Sequence, residues 1–268
     1  MTRLAGASLS GRRVLRTALA ACLGAVLLVT AGACDPQGGT RRPHVAMFIG
    51  IDSSGSFRAS GDYENALSFL AHYIYGHLHE LGGLAKPREL FVGSIGGRQS
   101  DEPKAFHPIH DFADKTVAEI EAGLREWFPP TDTMTDFNVF FQQVARVTKE
   151  RNLALAPITV VMFSDGVPDA GGRPTADDPA GRYRQIDLSP LEYLSRNLTV
   201  RLAYASPKVG DQWRKHVPRQ RVRMWTVDAE VMRGWTSQVR PEAEIGRQDH
   251  LWKWVLDNVD YRVRSVLT

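Results

Sequence analysis

The sequence predicts an α/β fold in which a mostly parallel central sheet is covered by helices on both faces. Short apolar runs typical of buried strands, such as residues 45–51 and 156–164, alternate with segments whose apolar residues recur at helical spacing. Alternation of strand and helix requires crossover connections, and such connections build a parallel sheet between two helical layers. We therefore expect a doubly wound body formed by residues 44–268.

The individual elements follow from local patterns. The predicted strands are residues 45–51, 89–95, 105–112, 156–164, 198–205 and 222–227. The predicted helices are residues 63–81, 115–128, 136–147, 191–196 and 249–266. Pro108 cannot donate to a ladder, so its segment is expected to be an edge strand. Residues 169–186 are polar and rich in Gly and Pro, which indicates a surface excursion.

Composition excludes several classes of function. The net charge is +3, but four arginines and no acid lie in residues 1–16, so the remainder carries −1. This near-neutral body gives no electrostatic case for nucleic-acid binding, and the arginine-rich residues 214–223 are interpreted as a solvated surface. The two cysteines, Cys22 and Cys34, both precede the body. Zinc-finger sites, iron–sulfur sites and cysteine nucleophiles are therefore excluded there.

The N-terminal segment has the features of an export signal. Arginines in residues 3–16 precede an apolar stretch, residues 17–30, that is too short to span a membrane comfortably. Small residues then precede Cys34. This arrangement resembles a bacterial lipoprotein signal, which is cut before a cysteine that carries lipid. The resemblance implies a signal peptide at 1–33 and a flexible tether at 34–43. An ordinary signal peptide or an uncleaved anchor is the alternative.

Oxygen-bearing side chains follow the predicted strands at their carboxyl ends. Asp52, Ser54 and Ser56 follow the first strand, and Asp165 with Gly166 follows the strand at 156–164. Thr131 lies in a loop before a helix, with Thr133 and Thr135 as alternatives. Ligands of open α/β sheets bind outside the carboxyl ends of the strands. Hard oxygen donors suit magnesium, manganese or calcium.

These motifs resemble the von Willebrand factor type A (VWA) domain and its metal-ion-dependent adhesion site. Asp52–Ser56 meets the family's Asp-x-Ser-x-Ser motif, Thr131 its threonine, and Asp165-Gly166 its third element. The resemblance covers the chain from Val45 to about its C-terminus. It implies a Rossmann-like VWA fold with one antiparallel edge strand. It also implies that Asp52, Ser54, Ser56, Thr131 and Asp165 hold Mg²⁺, or else Mn²⁺ or Ca²⁺.

The resemblance implies a binding module and not an enzyme. A partner protein or peptide would supply an Asp or Glu carboxylate to the cation. The signal would place the protein in a bacterial cell envelope, lipid-anchored at Cys34. It would lie on the inner membrane facing the periplasm or on the outer face of the cytoplasmic membrane. The alternatives are a metal-dependent phosphoesterase, a degenerate scaffold without metal, and serines that merely cap the first helix.

Overall fold

The computed structural model describes residues 44–98, 105–169, 178 and 180–260. The predicted signal peptide, the tether and Cys34 lie outside these residues, as does the end of the predicted last helix. Within the described residues no helix is long and apolar enough to cross a membrane.

The body contains eight strands and nine α-helices among its described residues. The strands are β1 Ala46–Ile51, β2 Glu89–Ser94, β3 Gly96–Gly97, β4 Phe106–Pro108, β5 Met134–Thr135, β6 Ile158–Phe163, β7 Leu198–Ala205 and β8 Arg223–Asp228. The helices are α1 Gly55–Ala59, α2 Tyr63–Leu78, α3 Val117–Trp127, α4 Phe137–Glu150, α5 Gly181–Arg184, α6 Ser189–Glu192, α7 Pro207–His216, α8 Ala229–Arg233 and α9 Asp249–Asn258. Single 3₁₀ turns occur at Leu81–Gly83, Ile109–Asp111, Gly234–Gln238 and Ile245–Arg247.

Six strands form the central sheet in the order β4-β2-β1-β6-β7-β8. All neighbouring pairs are parallel except β2 with the edge strand β4, which is antiparallel. Counted along the chain, this order is 3-2-1-4-5-6, the doubly wound order of dinucleotide-binding folds. The predicted fold class, a mostly parallel sheet with one antiparallel edge strand, is confirmed.

Two hydrophobic clusters cover the two faces of this sheet. On one face Met47, Ile49 and Ile51 of β1 pack with α2 and α9, and on the other Phe48 packs with α4 and α7. Every residue of β1 is buried, as its unbroken apolar pattern predicts. Helices therefore lie on both faces of the sheet.

Helix α4 packs closely against β1, and this contact positions the loop that precedes the helix. A Cβ atom at Gly50 would lie 2.7 Å from the ring of Phe140, so only glycine leaves room for this helix to pack so near. The side chain of Asp136 caps α4 by accepting hydrogen bonds from the backbone N–H groups of Asn138 and Val139. The helix thus begins beside the carboxyl end of β1, and its preceding loop is held there.

Candidate metal centre

The two predicted aspartates lie together at the topological switch point of the sheet. β1 and β6 are neighbours. From β1 the chain goes to β2 on one side, while β6 lies on the other, which opens a crevice at their carboxyl ends. Asp52 directly follows β1, its backbone N–H donating to the carbonyl of Phe163 at 3.0 Å. Asp165 comes two residues after the end of β6. The structure therefore places the first and third motifs at one rim.

Asp52 is fully buried, and its carboxylate is held from three sides. One oxygen accepts the backbone N–H of Ser54 at 3.0 Å, and the other accepts the hydroxyl of Ser164 at 2.5 Å. The hydroxyl of Thr135 lies 3.3 and 3.4 Å from the two oxygens. These contacts fix the orientation of the carboxylate before anything binds to it.

Ser54 and Ser56 present a pair of hydroxyls beside this carboxylate. Their Oγ atoms are 3.2 Å apart, and Ser54 is buried whereas Ser56 is exposed. Ser54 occupies the N-cap of α1, but in the described structure its side chain accepts no capping hydrogen bond from that helix. Helix capping therefore does not account for Ser54, and its oxygen remains a potential ligand.

The predicted threonine lies on the same rim, but a second threonine contacts Asp52. Thr131 is exposed, lines the same opening as Ser54, and its Oγ1 is 3.5 Å from the guanidinium of Arg98. The hydroxyl of Thr133 donates to the Arg98 carbonyl at 3.2 Å. Thr135 is fully buried and touches Asp52. Thr131 stays a prediction as a ligand, and Thr135 is the threonine that this geometry favours.

Asp165 is positioned by a turn that requires glycine. Gly166 has φ +76°, in the left-handed region, and its carbonyl accepts the indole N–H of Trp213 at 2.7 Å. The Asp165 carboxylate accepts the backbone N–H of Val167 at 2.9 Å, and the side chain is partly buried. Tight packing of the turn against α7 thus fixes the position of the second carboxylate.

Two neighbouring aspartates tie the surrounding loops to the site. Asp132 accepts the hydroxyl of Ser94 at 2.8 Å, and its backbone pairs with that of Ser54. Asp169 accepts the backbone N–H of Thr135 at 2.8 Å. Their side chains therefore hold the loop of the threonines against β2 and against the loop after β6.

The electrostatics of the crevice favour a cation. Burial raises the pKa of Asp52 to about 6, against the hydrogen bond from Ser164 and with a further contribution from the charge of Asp165. Burial likewise raises the pKa of Asp165, opposed by hydrogen bonds from Val167 and Ser56. Both shifts mean that ionised carboxylates are costly here without positive charge. A bound cation would remove that cost.

The donor set fits a hard divalent cation. A cleft of about 510 Å³ opens over the crevice, lined by Ser54, Gly55, Ser56, Arg58, Pro130, Thr131, Asp132, Thr133 and Asp169. No histidine or lysine is among these described lining residues. Across the described ranges, no three His, Cys, Asp or Glu side chains are grouped to hold a metal. A cation at this rim would therefore need the serine and threonine hydroxyls as well as the carboxylates, a donor set that suits Mg²⁺, Mn²⁺ or Ca²⁺.

Sequence reasoning singled out Asp52, Ser54, Ser56 and Asp165, all of which lie at the rim, but it gave no role to Ser164. Ser164 directly precedes Asp165, and its hydroxyl donates a hydrogen bond to Asp52 at the end of the neighbouring strand. A hydroxyl residue directly before a strand-end aspartate was the available signal. Its role depends on which strands are neighbours, and that is a property of the sheet order.

No protein-family model and no curated protein matches the chain. Among solved structures, it is similar to proximal thread matrix protein 1 from the mussel byssus. The identity is 12%, the TM-score is 0.43, and the match covers 80% of this chain and 48% of the mussel protein. The chain thus spans about half the length of that protein. Another structure of the mussel protein is described with zinc in its metal-ion-dependent adhesion site (MIDAS) motif.

Two further similar structures come from a bacterium and a parasite. One is the pilus adhesin SpaC from Lactobacillus rhamnosus GG, with 10% identity, TM-score 0.46, and coverage of 74% of this chain and 29% of the adhesin. The other is manganese-loaded TRAP of Plasmodium vivax, with 14% identity, TM-score 0.42, and coverage of 70% and 69%. All three TM-scores lie below 0.5. The candidate site is therefore assigned from the sheet order and the contacts of this chain alone.

Proposed function

We propose that the chain is a VWA-type binding module, exported and tethered to a membrane, that recognises an acidic group of a partner protein through a divalent cation. The observation that carries the proposal is the meeting of Asp52, Ser54, Ser56 and Asp165 at the switch point of the sheet. Oxygen donors that come from separate strands and meet at this point are typical of the ligand-binding sites of open α/β sheets.

Each residue has a distinct task in this proposal. Asp52 and Asp165 would balance the charge of the cation, while Ser54, Ser56 and one threonine add neutral oxygens. Ser164 and the backbone of Ser54 hold the Asp52 carboxylate in place. When bound, Mg²⁺ would keep a water-occupied position that a carboxylate can take. The open cleft above the serines leaves space for that carboxylate to enter.

Recognition fits the site better than turnover. The cleft's described lining residues include no histidine or lysine that could transfer a proton. The two motif carboxylates would be occupied by the cation, and the lining carboxylates Asp132 and Asp169 accept hydrogen bonds from Ser94 and Thr135. Hydrolysis of p-nitrophenyl phosphate by the purified protein, lost in Asp165→Ala, would instead establish a phosphoesterase.

Capture from solubilised membranes tests the proposal. The full chain is immobilised, and partners are recovered in Mg²⁺, in EDTA, and with an Asp52→Ala variant whose circular dichroism shows that it is folded. We expect a partner retained only by the wild-type chain in Mg²⁺, and released when one of the partner's own exposed Asp or Glu residues is replaced by Ala. Equal retention in Mg²⁺ and EDTA would refute the cation-bridged mechanism.

A further inference from the structure

The loops that precede the parallel strands share one end of the sheet, opposite the candidate metal centre. They are residues 79–88 before β2, 151–157 before β6, 193–197 before β7 and 217–222 before β8. Because these strands and β1 all run in the same direction, their starting points lie at the same edge. We call this surface the amino-end face.

The amino-end face is rich in exposed cations. They are Lys86, Arg88, Arg151, Arg196, Arg219, Arg221 and, at the start of β8, Arg223. Glu80 is the one acidic residue within the four loops, and Glu89, Glu150 and Glu192 lie at their borders. The buried Glu192 carboxylate accepts the backbone N–H groups of residues 220–222.

The opposite end of the sheet has the reverse balance. Its described loops hold the acidic residues Asp52, Asp62, Asp132, Asp136, Asp165 and Asp169. Arg98 is the cation in the same described loops, Arg58 lies in the short helix α1, and Arg233 of α8 pairs with the Asp62 carboxylate. A body with almost no net charge therefore has its charges segregated along the strand direction, and its cationic end is the one away from the cleft.

Two large apolar side chains stand among these cations. Leu155 is fully exposed and Tyr193 is 75% exposed. Their loops are joined by a hydrogen bond from the Ser195 hydroxyl to the Ala156 carbonyl at 2.7 Å, and the guanidinium of Arg221 lies 5.9 Å from the centre of the Tyr193 ring. Exposed Leu and Tyr surrounded by Arg and Lys are the residues that enter the headgroup region of an anionic bilayer.

The first described residues of the chain lie at this same face. Val45 accepts the backbone N–H of Arg88 at 2.8 Å, and Ala46 donates to the carbonyl of Pro157 at 2.9 Å. Residue 44 therefore joins the body beside two of the basic loops. If residues 34–43 act as a flexible tether, their root-mean-square span is only about 17 Å. An anchor at Cys34 would hold the basic face close to the membrane, at a high effective concentration.

We propose that the amino-end face docks on an anionic lipid surface and so turns the metal centre away from the membrane, toward a partner. This inference rests on the membrane tether of the proposed function. It replaces the interpretation of residues 214–223 as a merely solvated surface, since Arg219, Arg221 and Arg223 belong to a larger cationic face. Each basic residue near an anionic surface contributes about fivefold to association.

Hydrogen exchange of the full chain on vesicles tests this orientation. We compare vesicles containing 30% phosphatidylglycerol with vesicles of phosphatidylcholine alone. We expect slower amide exchange in residues 151–157 and 193–197 on the anionic vesicles only, with residues 129–133 unchanged. Arg196→Gln/Arg221→Gln should lower the ratio of docked to undocked protein about 30-fold. The matched control Arg146→Gln/Lys208→Gln removes the same charge from exposed positions elsewhere and should have little effect.

The outcomes separate this inference from the tether. Co-sedimentation with both kinds of vesicle but identical exchange would overturn the docking face and leave the tether standing. Co-sedimentation with anionic vesicles alone would support the face and count against the tether. Failure to associate with either would overturn both. Equal protection of the same loops by a 20-base-pair DNA duplex without vesicles would identify a nucleic-acid surface and overturn lipid docking.

Discussion

At the scale of single residues, the site depends on how the Asp52 carboxylate is held. This side chain is completely buried and is surrounded by the hydroxyls of Ser164 and Thr135 and the backbone N–H of Ser54. A carboxylate fixed in this way would have little conformational freedom left to lose if a cation bound to it. In the proposed site, the residues around the Asp52 carboxylate would therefore matter nearly as much for cation binding as the carboxylate itself.

The choice between the threonines is testable by substitution. Thr135→Val keeps the shape of the side chain but removes the hydroxyl that touches Asp52. We expect Mg²⁺ affinity to fall by about 10- to 100-fold, as for other groups that ligate or support ligands. Thr131→Val, at an exposed position, should have the smaller effect in the same titration. A larger loss in Thr131→Val would establish Thr131 as the ligand.

The raised pKa of Asp52 predicts a pH dependence of stability in EDTA. Burial raises this pKa from 3.8 to about 6. Between these pH values the folded chain keeps a proton that the unfolded chain has released, so rising pH destabilises the fold. Relative to Asp52→Asn, the wild-type free energy of unfolding should fall by about 2 kcal/mol from pH 4 to pH 7. Urea denaturation at each pH measures it, and a pH-independent difference would contradict the assignment.

The sequence could identify the residue types of the site but not all of their contacts. Asp52, Ser54, Ser56 and Asp165 are recognisable because each follows a buried apolar run. Thr135 was only one of three candidate threonines in the sequence, and Ser164 had no assigned role. Their contacts with Asp52 come from segments more than 80 residues away and depend on the three-dimensional fold. No local pattern in one sequence records that β1 and β6 are neighbours.

At the scale of elements, the turn after β6 joins the site to the helical layer. Gly166 has a positive φ, and a Cβ there would lie 2.7 Å from Leu202 and 3.0 Å from Val209. Its carbonyl also accepts the indole N–H of Trp213. The conformation of this turn, and hence the direction of Asp165, is set by packing between β7 and α7.

Substitution of this glycine should affect both stability and metal binding. Both glycines have a positive φ that is unfavourable for alanine. A Cβ at Gly166 would also collide with neighbouring side chains, whereas a Cβ at Gly61 would have no atom within 4 Å apart from its own residue and its chain neighbours. We expect Gly166→Ala to be more destabilising than Gly61→Ala by about 1–3 kcal/mol. It should also weaken Mg²⁺ binding, which Gly61→Ala should leave unchanged. Equal effects in urea denaturation and titration would show that the turn does not position Asp165.

Long, periodic elements were predictable, and short ones were not. β1, β6 and β7 match their apolar runs, and α2 and α4 match their helical periodicity. The paired fragments β3 and β5 contain only two residues each and have no pattern of their own. The predictions also omitted α7, where Pro207 and Gly210 interrupt the apolar periodicity, although Ser206 caps it by accepting the backbone N–H of Val209.

At the scale of the whole molecule, the two ends of the sheet have different chemistry. The carboxyl ends of the strands hold the carboxylates and hydroxyls of the candidate metal centre, and the amino ends hold the basic loops and the first described residues of the chain. A parallel sheet makes this separation possible because all of its strands begin at one edge. The proposed partner and the proposed membrane would then occupy opposite ends of the body.

Isothermal titration of the full chain with Mg²⁺ and Mn²⁺ tests the central claim most directly. The account predicts one cation per chain, with binding abolished in Asp52→Ala and Asp165→Ala but retained in Asp228→Ala. Asp228 is a matched control because it also stands at a strand's carboxyl end, where it caps α8 away from the cleft. Absence of binding to the folded wild-type chain, or unchanged affinity in Asp165→Ala, would contradict the account.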